Sequence, residues 1–192
     1  DLSSSSPMDR LLCGDVGFGK TEIALRAAFR VVLGGCRVLV LAPTTLLANQ
    51  LFISFNSRLE PYAVNVAMVS GFRSASKTGL VKKKIVRGEN DILVGTHAIL
   101  NDDIYLENIG LLIIDEEHRF GVKQKESIKS FAAGVDVLSL SATPIPRSLN
   151  LALTGIYSIS LLQTPPLMRL PIVTRVDFFS DSLIREAVSF EV

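Results

Sequence analysis

The sequence predicts an α/β fold, a mainly parallel sheet with helices on both faces, and three observations carry that expectation. Short, continuously apolar runs such as 37–42 and 111–114 alternate with stretches of helical periodicity. Strands apolar on both faces belong to parallel sheets covered on both sides. A glycine-rich octet, Gly14-Asp15-Val16-Gly17-Phe18-Gly19-Lys20-Thr21, joins one such run to a helical stretch. An acidic pair, Asp115-Glu116, directly follows another apolar run. Both features are therefore expected at strand carboxyl ends, where α/β sheets bind ligands.

Along the chain, residues 1–7 are a Ser-rich polar lead-in with the composition of a linker. Residues 10–13 form a short buried strand that enters the glycine-rich loop. Residues 20–33 are helical, with Ile23, Ala24, Ala27, Ala28, Val31 and Val32 along one face. Gly34-Gly35 ends that helix, because glycine accepts a left-handed cap. Residues 37–42 are a strand closed by Pro43, and 45–59 a helix that Thr44 or Thr45 can cap. The beat continues as strand 65–69, helix 74–87, strands 92–95 and 111–114, helix 123–131, strand 135–140, helix 147–154 and strand 157–162. Pro165, Pro166 and Pro171 break it. The expected division is a lead-in at 1–7, one domain over 8–164, a linker over 165–180 and the start of a further unit at 181–192. The chain reads as an excerpt of a longer one.

A chain of 192 residues can bury a substantial core, since about 150 residues already hide roughly 70% of the unfolded surface. Hydrophobic residues at 48% with 20% charged are globular and exclude a disordered segment. Cys13 and Cys36 lie next to or within apolar strands, lack metal-ligand spacing, and are expected as reduced, packed thiols. No run has the length of a membrane span, so a soluble intracellular protein is expected. The net charge of +1 hides a basic stretch: Arg73, Lys77, Lys82, Lys83, Lys84 and Arg87 occur without an intervening acid. That stretch is either a solvated helix face or a phosphate-tracking patch.

The octet has the G-x-x-x-x-G-K-T spacing of a triphosphate-cradling loop. Gly14, Gly17 and Gly19 let backbone amides, including those of Asp15, Val16 and Phe18, turn inward at a helix N-terminus whose dipole favours anions. Lys20 is expected on the β- and γ-phosphates and the Thr21 hydroxyl on Mg²⁺. Asp115 is expected to hold Mg²⁺ through water, and Glu116 to act as general base on the attacking water, a role worth about 10²–10⁴ in rate. ATP with Mg²⁺ is the expected cofactor. An ordinary glycine turn could explain the loop alone, and the helix dipole could explain the acids alone; their joint occurrence argues against both. His118 is either a plain hydrogen-bonded histidine or a link from this site to Ser141 and Thr143, whose hydroxyls follow the next apolar run.

Five segments, GDVGFGKTE (14–22), APTTLLA (42–48), VGTHAIL (94–100), DEEHRFGVKQKE (115–126) and SATPIPRSL (141–149), resemble superfamily 2 helicase motifs. They stand in the order of a first RecA-like motor domain, a P-loop NTPase fold. Within that superfamily the resemblance is to the transcription-repair coupling factors (Mfd), with the fork remodeller RecG as a relative. Phe18, Glu117 and Thr164-Pro165-Pro166 favour the former. The resemblance implies that Pro43, Thr44 and Thr45 contact the phosphates of one DNA strand. It also implies that Gly95, Thr96 and His97 grip the backbone farther along, with Arg73 joining them. The chain has Gly71 where the family usually carries arginine.

The implied activity is ATP-driven translocation on double-stranded DNA without strand separation. It displaces stalled RNA polymerase and recruits excision-repair proteins through modules outside this chain, in a bacterial cytoplasm or plastid stroma. A second RecA-like domain would supply an arginine worth about 10³–10⁵ in turnover, so this segment alone is expected to hydrolyse ATP barely. Two other readings compete. A P-loop kinase leaves Asp115-Glu116-Glu117-His118 and Ser141-Ala142-Thr143 unexplained. A non-enzymatic interaction platform has no need of Lys20 or Glu116.

Overall fold

The computed structural model describes residues 1–69, 87, 89–100, 106–142, 158–166 and 174–191. The expected helices at 74–87 and 147–154 fall almost wholly outside the described residues, as do Gly71, Arg73, Thr143 and Pro171.

Seven described strands form one sheet: β1 (Asp9–Gly14), β2 (Arg37–Leu41), β3 (Val66–Val69), β4 (Ile92–Gly95), β5 (Ile109–Asp115), β6 (Asp136–Ser141) and β7 (Ser158–Leu162). Their order across the sheet is β3-β4-β2-β5-β6-β1-β7, and every pairing is parallel. The helices are α1 (Lys20–Leu33), α2 (Thr45–Leu59), α3 (Val122–Phe131) and α4 (Asp181–Glu191). The α/β expectation is met.

Alternation along the strands feeds two cores. Val38 and Val40 of β2 join Leu12, Ile92, Val94, Leu111, Ile113, Leu138 and Leu140 under α1 and α2. Leu39 and Leu41 point the other way, into a cluster with Leu93, Leu112 and Ile114. Phe120 and Ile128, the latter from α3, cover that second cluster. Both faces of the sheet are thus apolar, which is why the strands read as continuous hydrophobic runs.

The helix boundaries have local causes. Thr44 is extended and its Oγ1 accepts the Leu47 N–H at 3.2 Å, capping α2. At the end of α1, Gly34 stays right-handed, and Gly35, at φ 81°, takes the left-handed turn. The buried stripe of α1 is Ala24, Leu25 and Ala28, whereas Ile23 faces outward with 37% exposure. Ala27, Val31 and Val32 pack partly buried against the same core, so the expected face holds except at Ile23, whose place Leu25 takes. Strand β5 is longer than the apolar run suggested, since it already pairs with β2 at Ile109↔Arg37 and with β6 as late as Asp115↔Leu140.

Phe55 is fully enclosed between α2 and the sheet. Phe55→Ala is expected to cost about 3–5 kcal/mol, a large share of a stability of about 5–15 kcal/mol. Chemical denaturation followed by circular dichroism should show the unfolding free energy fall by that amount; an unchanged value would contradict the packing.

Candidate active site

Parallel register aligns the strand ends. Cys13 pairs with Ser141, Asp115 with Leu140, and Leu41 with both Ile114 and Gly95. The carboxyl ends of β1, β6, β5, β2 and β4 therefore share one edge, in that order. Neighbouring strands lie about 4.8 Å apart, so the ends of β1 and β2, three steps apart, are separated by about 14 Å.

The glycine-rich octet sits on this edge between β1 and α1. Gly17 and Gly19 have φ of 78° and 89°, which L side chains rarely adopt. Gly14 serves a different need: a Cβ there would lie 2.8 Å from Leu162 Cβ of β7. Inside the loop, the Asp15 carboxylate accepts the Val16 N–H at 2.7 Å and its carbonyl accepts the Phe18 N–H at 3.2 Å. The Lys20 amine donates back to the carbonyls of Gly14 at 2.6 Å and Asp15 at 3.1 Å, curling over the loop that precedes it. Thr21 follows in the first turn of α1.

Asp115 is the last residue of β5 and is half-buried. Burial pushes its carboxyl above the ordinary value of 3.8, and the Glu116 charge adds to the rise. A backbone hydrogen bond at Glu116 and the charges of Lys20 and Arg119 oppose it. Lys20 and Asp115 thus act on each other electrostatically although they belong to strand ends two positions apart. Glu116 is left-handed at φ 48° and ψ 51°, a conformation costing a non-glycine residue about 1–3 kcal/mol. It caps the short turn Glu117–Arg119, whose Arg119 N–H bonds the Glu116 carbonyl at 2.9 Å. Glu116 Oε2 lies 3.3 Å from His118 Nδ1, enclosed but without a well-aligned hydrogen bond.

His118 stands beside Glu116, at the distance given above. Ser141 is buried at the end of β6, paired in register with Cys13. Thr143 lies outside the described residues.

The residues expected to meet DNA occupy the other half of the edge. Pro43, Thr44 and Thr45 lie at the start of α2, both threonines exposed. Gly95 ends β4, where a Cβ would stand 2.8 Å from the Val69 carbonyl oxygen, and Thr96 is buried. His97 opens the short turn His97–Leu100 and its Nε2 lies 2.9 Å from Gln124 Nε2 of α3. Arg73 is outside the described residues.

Sequence reasoning passed over Gln124, although Gly121-x-x-Gln124 has the spacing of a helix-entry box, and the Gly121 N–H does bond Gln124 Oε1 at 2.9 Å. It also passed over Leu162, whose demand on Gly14 comes from a strand far along the chain. Among the described residues no group of three or more His, Cys, Asp or Glu side chains could hold a metal by itself. No described helix is long and apolar enough to cross a membrane.

The raised Asp115 carboxyl has a consequence for stability. The folded state holds this proton more tightly than the unfolded chain, so the linked stability is complete below pH 3.8 and is lost as pH rises through the higher folded value. Asp115→Asn is therefore expected to melt above wild type near neutral pH, by roughly 2–4 °C per kcal/mol recovered. Thermal melts across pH should show that gap closing as the pH falls toward the carboxylate range. A gap independent of pH would refute the assignment.

A model of the DEAD/DEAH box helicase family matches residues 3–152. Transcription-repair-coupling factors of Myxococcus xanthus and Escherichia coli are 47% and 48% identical over all 192 residues. The chain spans 16% and 17% of the length of these two relatives. Among solved structures, RecG bound to a three-way DNA junction is 33% identical with a TM-score of 0.75, over 99% of this chain and 25% of that one. A DEAD box protein of Methanococcus jannaschii shares the fold at 22% identity and a TM-score of 0.64, over 81% of this chain and 46% of that one. With a sheet edge that unites the glycine-rich loop and the acid pair, and a family match across most of its length, the chain belongs to the DEAD/DEAH box helicases.

Proposed function

We propose that this chain is the ATP-binding first motor domain of a double-stranded DNA translocase of the transcription-repair coupling type. The observation that carries this reading is the shared parallel-sheet edge that brings the glycine-rich loop after β1 within two strands of Asp115 at the end of β5, with the adjoining Glu116 held in a left-handed turn. Loop amides from Gly14 to Thr21 would cradle the triphosphate. Lys20 would exchange its contacts to the Gly14 and Asp15 carbonyls for β- and γ-phosphate oxygens. Glu116, steadied by His118 beside it, would take the proton of the attacking water.

The donor set fits Mg²⁺. Thr21 and Asp115 offer oxygens alone, and Mg²⁺ favours one or two carboxylates together with phosphate and water. The half-buried Asp115 carboxylate, already in the field of Glu116, is a charge that a cation relieves. These two residues would hold the ion, which when bound neutralises phosphate charge.

DNA would lie over the β2–β4 half of the edge. The exposed Thr44 and Thr45 at the N-terminus of α2 suit a phosphate, where amides and dipole favour anions. Gly95, Thr96, His97 and Arg73 complete the proposed track. Such contacts carry no sequence information, as a motor running over any DNA requires. Contacts to RNA polymerase and repair proteins would come from parts of the whole protein beyond this segment, in a bacterial cytoplasm or plastid stroma.

The proposed division keeps a motor domain over 8–164, a linker over 165–180 and the opening of a second motor domain at 181–192. The exposed Phe178, Phe179, Ile184, Val188 and Phe190 around α4 support it, since nothing among the described residues covers them. A RecG-like fork remodeller is the second reading, favoured by the 33% identity to RecG. Identities of 46–49% over the whole chain to the coupling factors weigh more.

In the whole protein, Glu116→Gln should lower DNA-stimulated ATP turnover by about 10²–10⁴ while ATP still binds; surviving turnover would remove Glu116 as the base. DNA affinity should fall linearly in log–log form with salt, with a slope near −0.9 per neutralised phosphate. Salt-independent binding, or none, would defeat the translocase reading.

A further inference from the structure

We propose that Gln124 is a positioning residue that links the DNA half of the sheet edge to the nucleotide half through its hydrogen bond to His97. The proposal rests on the translocase reading above and adds a connection to it.

The bond joins two segments that the sequence keeps apart. His97 follows Gly95 and Thr96 at the end of β4. Gln124 lies in the first turn of α3, which begins just past Glu116 and the turn Glu117–Arg119. The orientation of the Gln124 amide is set by its other end. Its Oε1 accepts the Gly121 N–H at 2.9 Å, so the Nε2 group, a donor only, faces His97 Nε2 at 2.9 Å. His97 Nε2 must then accept, and the ring proton resides on Nδ1. That Nδ1 is enclosed and has no partner among the described residues. Both ring nitrogens are therefore turned inward, and the imidazole acts as a strut for residues 95–97, so that the part of His97 in the proposed track falls to its backbone rather than to its ring.

The surroundings limit how these segments can move independently. Gly95 is pressed against the Val69 carbonyl, with no room for a Cβ. Ile99, whose N–H bonds the Thr96 carbonyl at 3.0 Å, is buried in the same cluster as Phe120 and Ile128. Apolar contacts of this kind tolerate sliding; a short hydrogen bond with both partners oriented does not. A change at Glu116 on nucleotide binding that moves the start of α3 would thus pull on residues 95–97. By linkage, DNA held at 95–97 would bias the Glu116 turn in return.

The test uses the whole protein and compares ATP turnover with and without duplex DNA. Gln124→Leu keeps the bulk and removes both polar bonds; Gln124→Glu keeps an acceptor for Gly121 and can accept from His97 in its other tautomer. We expect Gln124→Leu to leave DNA-free turnover unchanged and to cut DNA stimulation by about 5-fold or more, the lower range of measured couplings. Gln124→Glu should restore stimulation. The double variant His97→Ala/Gln124→Leu should be no worse than His97→Ala alone. Wild-type stimulation in Gln124→Leu, or losses that multiply in the double variant, would overturn the link alone. Absence of DNA stimulation in the wild type would overturn the translocase reading and this link with it. If the leucine variant melts early, Gln124→Ala is judged by the same criteria.

Discussion

A parallel sheet sends every strand's carboxyl end to the same edge, and this one constraint organises the molecule. The ladder from Cys13↔Ser141 through Asp115↔Leu140 to Leu41↔Gly95 brings five loops together that are scattered along the sequence. Strand order then sorts them. Because β5 and β6 lie between β1 and β2, the glycine-rich loop and the start of α2 are held apart while the acid pair stands between them. In the proposed reading, a nucleotide site and a DNA site need that separation and also a shared rigid base. The base is a sheet buried on both faces, with Leu39, Val40, Leu93, Leu111 and Leu112 fully enclosed.

The acid pair concentrates the energetic cost at this edge. Asp115 is pushed into partial burial, where its charged form is disfavoured, and its neighbour Glu116 worsens the situation. Glu116 itself occupies a left-handed backbone that glycine would adopt more cheaply. Neither feature helps the fold. Strain held by well-packed surroundings, here Ile114 below and Phe120 beyond the turn, is characteristic of sites whose side chains must point in an unusual direction. Lys20 lies on the opposite flank and offsets part of the carboxylate charge.

Glycines and polar bonds on this edge divide by cause. Gly17 and Gly19 are needed for positive φ, a local property. Gly14 and Gly95 are needed because Leu162 and the Val69 carbonyl approach them, a property of strand neighbours. The same division holds for Gln124, whose contact with Gly121 is local and whose contact with His97 joins two distant segments. His118, read from the sequence either as a plain hydrogen-bonded histidine or as a link toward Ser141 and Thr143, stands with its Nδ1 3.3 Å from Glu116 Oε2.

By itself the sequence determined the class of fold, most element boundaries and the position of the loop and acid pair at strand carboxyl ends. Those follow from period, from turn chemistry and from residue spacing, all of which act over a few residues. A threonine cap for α2, narrowed to Thr44 or Thr45, the strand before each candidate loop and the extent of α1 were legible for that reason. Tertiary structure decided which strands are neighbours, and hence that Ile23 faces outward, that Gly14 answers to Leu162 and that His97 turns inward to Gln124. These depend on close approach between residues distant in the chain, and strand order cannot be read from any local pattern because each buried parallel strand looks alike in hydrophobicity.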